Sequence, residues 1–126
     1  MKTMTTEQDT FERGIDLFNQ GSYFEAHEAW EDIWLVAKDP AEKQFFQGLI
    51  MAAGAFLHYR KRECAGASTL LSRSIDLLKS IENGHREIRL ADFVAALGTL
   101  RDDFTSCAFN ISLNDLPKIH RIGVVP

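Results

Sequence analysis

The chain is poor in cysteine and proline, and each scarcity excludes something. Its two cysteines, Cys64 and Cys107, form no CxxC pair and have no histidine pattern beside them. That argues against a zinc cluster, a redox dithiol and a thiol nucleophile. Met1–Thr10 is polar and does not read as a secretory leader. The cysteines are therefore expected to be reduced thiols in a cytoplasmic protein. The three prolines are Pro40, Pro117 and Pro126, so none interrupts the helical patterns described below. Long apolar runs are also missing. The longest, Gly48 to Leu57, falls well short of the ~20 residues a membrane helix needs. Positive charge is in deficit, with 14 Lys and Arg against 18 Asp and Glu and a net charge of -4. This disfavours nucleic acid as a partner, because nonspecific binding needs a basic field. Arg60-Lys61-Arg62 reads as a solvated turn. No segment alternates with a strand period. There is no glycine-rich phosphate loop, no GxSxG and no Glu-x-x-His pair of the di-iron kind.

What is present is helix. At 126 residues and 45 % apolar, the chain is expected to be one all-α domain over residues 1–126, long enough for a real core. Thr5 or Thr6 can cap a first helix carrying Phe11, Ile15, Leu17 and Phe18, which Gly21 stops. Ser22 with Glu25 makes a capping box for a second helix running to about Lys38. Asp39 and Pro40 are the cap and first residue of a third, from Ala41 to about Arg62. This third helix is apolar nearly all round its middle and is expected to be central. Gly48 and Gly54 inside it suggest close helix approach. A fourth helix is expected from Glu63 to about Glu82, ended by Asn83-Gly84. His85–Arg89 is a charged linker, and a fifth helix runs from Leu90 to about Cys107. The tail, 108–126, has no helical period. Its Ile119, Ile122, Val124 and Val125 are expected to lie across the bundle or a partner, which allows a homodimer. One constant offset pairs Phe18 with Tyr59, Ala26 with Ala67, Trp30 with Leu71 and Trp34 with Ile75, as two packed helical hairpins would.

Only the stretch Tyr23–Trp34 puts large apolar and ionisable side chains on one helical face. At ~100° per residue, Tyr23, His27, Trp30, Glu31 and Trp34 cluster together. His27 and Glu31, at i and i+4, can reach one divalent ion, and His27-Glu28-x-x-Glu31 echoes a zincin helix in which the middle glutamate is a base. Glu28, about 100° off that face, is the weak candidate for such a catalytic base. A catalytic ion usually wants a third protein ligand. On helix three, Gln47, Met51, Gly54 and His58 share a side that faces helix two. Gln47 is placed to meet Glu31, and Gly54 can hollow a pocket between His27 and His58. A plain alternative is a buried polar network in which Glu31 accepts from Gln47 or Tyr23. Trp30 and Trp34 are core candidates before ligand-stacking ones. His85 and His120 are expected on the surface.

His27-x-x-x-Glu31-x-x-Trp34, preceded by Gly21-x-Tyr23-Phe24-Glu25-Ala26, resembles the signature of a bacterial and archaeal family, the domain-of-unknown-function 309 family. Phe46-Gln47-Gly48-Leu49-Ile50 with His58, and Gly66-Ala67 before Leu70-Leu71, resemble its second and third blocks. The resemblance covers roughly residues 11 to 80 and departs at Arg60-Lys61-Arg62-Glu63, where the family often has Gly-Asn. It implies a compact all-α bundle. It also implies a motif suggested to bind metal, in a family some of whose members are labelled metal-dependent hydrolases; on the spacing read above, His27 and Glu31 would be the ligands and His58 a third ligand or proton shuttle. Two functions follow as expectations. One is a pocket at His27 and Glu31, lined by Tyr23, Trp30, Trp34 and Gln47, holding a divalent metal or small ligand. The other is a helical-hairpin interaction module in which the same residues are structural.

Overall fold

The computed structural model describes residues 6–123; the expectations for Thr5, Val124 and Val125 lie outside them. The chain is the expected all-α bundle. Its helices are α1 (Glu7–Asn19), α2 (Tyr23–Val36), α3 (Pro40–Arg60), α4 (Cys64–Leu78), α5 (Leu90–Thr99) and α6 (Arg101–Ser106). Short 3-10 turns lie at His85–Glu87 and Leu113–Asp115. The expected fifth helix is thus broken in two at Leu100. There the Thr99 hydroxyl donates to the Ala96 carbonyl at 2.7 Å, the acceptor that a continuous helix reserves for the Leu100 N–H. Leu100 turns to Leu97 instead, at 3.1 Å, and the helix tightens and bends.

Local sequence explains most boundaries. Thr6 caps α1 with a reciprocal bond to Asp9. Asp39 caps α3 by accepting from the Glu42 N–H at 3.0 Å, and Pro40 follows it. The capping box expected at Ser22 and Glu25 does not form. The Ser22 N–H is already given to the Leu17 carbonyl at 2.8 Å, and the Gly21 N–H to Phe18 at 3.0 Å. This is the paired closure of a Schellman turn, which needs a left-handed residue after the helix. Gly21 supplies it with φ 85°. The turn between α3 and α4 repeats the pattern, Glu63 to His58 at 2.9 Å and Arg62 to Tyr59 at 3.0 Å. Arg62 occupies the left-handed position there, with φ 59°.

The buried face of α2 is Tyr23, Ala26, Ala29, Trp30 and Ile33. Trp30 is fully buried and reaches across to α1, where its indole N–H donates to the Phe11 carbonyl at 3.2 Å. It lies over Gly14, where an added Cβ would stand 2.7 Å from Trp30 Cδ1. Trp30 is thus a core residue rather than a wall of a ligand pocket. The reason is that α1 offers it a bare backbone to lie on and a carbonyl to bond. Phe18 joins Tyr23, Trp30, Phe56 and Phe93 in one aromatic cluster linking α1, α2, α3 and α5. Helix α3 is central, as expected. Its Phe45, Phe46, Leu49, Ala52, Ala53, Ala55 and Phe56 are all fully buried. Helix α4 comes close at Gly48, beneath Leu78, and Ser74 Oγ donates to the Gly48 carbonyl at 2.7 Å.

The tail does lie across the bundle. The Asn19 carboxamide donates to the Ile119 carbonyl at 2.9 Å and accepts from the Ile119 N–H at 2.8 Å. Leu116 and Ile119 are buried, while Ile122 is exposed. The expectation of two reduced thiols is corrected. Cys64 and Cys107 form a disulfide, with Cα atoms 5.4 Å apart, inside the normal bridging range. They are 43 residues apart, and the packing of α6 back on the bundle, with Phe104 buried against Phe56 and Tyr59 of α3, brings them together.

Substituting Gly14→Ala drives a methyl into the Trp30 ring. The expected loss is ~2 kcal/mol or more of unfolding free energy in urea. Unchanged stability would show that the ring can move and that α1 does not depend on this contact.

Candidate functional site

Between α2, α3 and the first turns of α4 lies a half-open cleft of about 350 Å³. Its walls are largely apolar, with Phe24, Met51, Gly54, Leu57 and Leu70 among them, and His27 and His58 both line it. Helix α2 is responsible for one wall. His27 sits one turn from buried Tyr23, on the flank of the buried face. Gly54 keeps the floor open because it has no side chain to fill the space, and a Cβ there would meet Leu70 at 2.9 Å. The Phe24 ring lies nearly parallel to His27 at the mouth, 6.4 Å away, and remains 51 % exposed. Burial pushes the Tyr23 hydroxyl above its ordinary range, with Arg60 pulling the other way.

Each histidine of the cleft has a carboxylate companion. His27 Nε2 is 3.3 Å from Glu31 Oε2. His58 Nδ1 is 2.9 Å from Glu63 Oε1. The other ring nitrogen of His27, Nδ1, is buried without a partner. A bare lone pair costs less there than an orphaned N–H, which favours the tautomer with its proton on Nε2, toward Glu31. The His58 ring packs on Gly66, where a Cβ would come within 2.8 Å of Nδ1.

The structure thus places His27, Tyr23, Met51, Gly54 and His58 around one cleft. The other expected wall residues are elsewhere. Trp30 is in the core. Trp34 is half-buried beside the α2–α3 turn, with Lys43 Nζ 4.7 Å above its ring and donating to its carbonyl at 3.2 Å. Gln47 is half-buried outside the cleft, and Glu31 meets His27 rather than Gln47. Glu28 is exposed. The donors for an ion are fewer than the three a hydrolytic metal usually takes. Among the described residues no three His, Cys, Asp or Glu side chains gather to hold one. His27 and Glu31 come together, but the Glu63 carboxylate engages His58.

The family described as Domain of unknown function (DUF309) matches residues 11–70, just under half of the chain. An uncharacterized protein of Bacillus subtilis (strain 168), YpuF, is 36 % identical over 58 residues, which is 46 % of this chain and 33 % of that protein. The chain therefore spans about a third of that relative's length. The DUF309 segment contains every residue that lines the cleft, from Tyr23 to Leu70. It also contains Gly14 and Trp30. The disulfide partner Cys107 and the tail lie beyond it.

The His85–Glu87 turn, expected as a plain charged linker, is an ionic anchor pinned to α3 and α1. Arg86 Nε donates to Glu42 Oε2 at 2.9 Å, and Arg86 Nη1 to Gln8 at 2.9 Å. Arg86 also pairs with Glu7, and His85 with Glu42. The Arg86 guanidinium lies 5.3 Å from the Phe11 ring centre and 5.0 Å from that of Phe46. These contacts hold Arg86 and Glu87 at left-handed φ of 50° and 62°, a conformation that persists only where its surroundings impose it. Burial alone would raise the Glu42 carboxyl, but the Arg86 and His85 hydrogen bonds outweigh it and hold the carboxyl below its usual value of 4.5.

A carboxyl whose folded value is depressed contributes stability at neutral pH and loses it as pH falls through its unfolded and then its folded value. Glu42→Gln is therefore expected to cost about 2 kcal/mol at pH 7, with wild type and variant converging as pH drops below ~4. A gap that persists unchanged at pH 3 in denaturant titrations would assign the loss to packing instead.

Proposed function

We propose that the α2–α3–α4 cleft binds a small molecule with an apolar body and one polar or anionic head, the head placed between His27 and His58. The observation that carries this reading is the cleft itself. Its volume falls within the range of small-ligand pockets, and such sites are mostly apolar with a few placed polar groups. Among its lining side chains, the polar groups are the two imidazoles and the Tyr23 hydroxyl. The carboxylates Glu31 and Glu63 then serve to orient the rings, as such partners do for functional histidines. The position of the cleft, wholly within the DUF309 segment, supports the same reading. A cytoplasmic location belongs to this proposal too, with the Cys64–Cys107 bridge as the observation that weighs against it.

A resident divalent ion is the narrower form of the proposal. His27 Nε2 and Glu31 are its fitting ligands, and His58 would have to leave Glu63 to join them. The set does not fit a hydrolytic ion, so no hydrolytic step follows. A second reading, an interaction module or homodimer, is favoured by Leu35 and Val36, which stand 60 % and 68 % exposed near the end of α2.

The test uses anilinonaphthalene sulfonate, an apolar body with an anionic head, as probe in fluorescence titrations. Binding is expected for the native chain. A weakening of about tenfold is expected in His27→Ala and in Met51→Trp, which narrows the cleft. Absence of binding, or binding indifferent to both substitutions, would overturn the proposal. Elemental analysis of protein purified without chelator or histidine tag accompanies it. One equivalent of a metal, lost in His27→Ala, would replace the small-ligand reading by the metal one. Light scattering showing a dimer that Val36→Lys dissolves would support the interaction module.

A further inference from the structure

A second concavity of about 330 Å³ lies on another part of the surface, between the end of α3 and the loop after α6. It is lined by Tyr59, Arg60, Arg62, Phe109, Asn110 and Ser112, among others. Two of these carry the argument. Like Arg13, Arg73 and Arg101, Arg60 and Arg62 meet no carboxylate among the described residues; unlike those three, both line this one concavity. The two guanidinium groups are nevertheless held in place. Arg60 lies 5.4 Å from the Tyr23 ring centre and donates through Nη1 to the Gly21 carbonyl at 2.7 Å. Arg62 lies 5.4 Å from the Phe109 ring centre. The nearby carboxylates are engaged elsewhere, Glu63 with His58 and Asp103 with the loop. Asp103 accepts from the Tyr59 hydroxyl at 2.7 Å and from the Asn110 N–H at 3.0 Å.

The backbone supplies an independent observation. The two hairpin turns are closed by the same pair of hydrogen bonds, and their left-handed positions are Gly21 and Arg62. Glycine suits that position without strain, whereas arginine does not. Two more residues of this corner, Cys107 at φ 59° and Phe109 at φ 50°, are left-handed as well. The Cys64–Cys107 bridge and the Tyr59–Asp103 bonds hold them there. Of these, Arg62 and Phe109 line the concavity itself, and left-handed residues imposed by their surroundings cluster at functional sites.

We propose that this corner is an oxyanion site, in which Arg60 and Arg62 clasp a phosphate or carboxylate group of a small molecule and the Phe109 ring packs beside its body. Paired guanidinium groups match the geometry of such anions and bind them through charge-assisted hydrogen bonds. The site shares no experiment with the α2–α3–α4 cleft, because neither arginine lines that cleft.

Calorimetric titration of the full chain tests it, with inorganic phosphate, with acetate, and with sodium chloride at matched ionic strength. One-site binding of phosphate or of acetate is expected, and which of the two binds identifies the head group. Arg62→Gln is expected to weaken that binding about tenfold. Arg62→Gly is the decisive variant. It relieves the left-handed strain, so the melting temperature is expected to rise by ~4 °C, while binding falls as in Arg62→Gln. A variant that is more stable and binds less cannot be dismissed as misfolded. Heats for phosphate and acetate no different from chloride, or native binding in both Arg62 variants, would overturn the proposal.

Discussion

The bundle depends on one contact, the Trp30 indole laid on the bare backbone of Gly14 and bonded to the Phe11 carbonyl. It sets the distance and rotation of α2 against α1. Any side chain at position 14 would collide with the ring, and any smaller residue at position 30 would leave a void in a cluster that includes Phe18, Phe56 and Phe93. The rotation it imposes also decides what α2 shows to its other neighbour. With Tyr23, Ala26, Trp30 and Ile33 turned inward, His27 falls on the flank facing α3, and Phe24 falls at the mouth of the cleft. The candidate site is thus a by-product of core packing one turn away.

Apolar burial runs through the whole chain, with Phe93, Leu97 and Phe104 completing the core that the first hairpin and α3 begin. The irregular stretches after α4 add polar anchors reaching back across the sequence. Arg86 to Glu42 and Glu7, Asn19 to Ile119, and Tyr59 to Asp103 and the Ile111 N–H tie irregular backbone to regular helix. Such backbone has few internal hydrogen bonds of its own, so side chains of the bundle must satisfy it. The disulfide between Cys64 and Cys107 adds a covalent tie at the same end of the molecule.

Much of the architecture was legible because it is written locally. Asp39-Pro40 marks a helix start whatever packs around it, and Gly21 marks a stop because it alone among its neighbours takes φ 85° at no cost. The hairpin offset that paired Phe18 with Tyr59 also relates Gly21 to Arg62. Other readings failed where a group had a prior engagement. The Ser22 capping box needed an N–H that the preceding helix had already taken, and the continuous fifth helix needed a carbonyl that Thr99 had occupied.

By itself, the sequence determined the first four helices, their order, the central place of α3, the pairing of His27 with Glu31 one turn on, and the facing of His27 by the Met51 side of α3. All of these follow from 3.6-residue periodicity and from antiparallel neighbours joined by short turns. Only the tertiary structure decided which flank of α2 is buried, that Trp30 belongs to the core, that His58 lines the same cleft as His27, and that Cys64 meets Cys107. It alone set Arg86 between two phenylalanine rings and left Arg60 and Arg62 without carboxylates. These outcomes turn on contacts between residues distant along the chain or on the choice between nearly equal helical faces. Backbone hydrogen bonding is local and can be read in order, whereas side-chain partnership is settled by whichever surfaces the packed helices bring together.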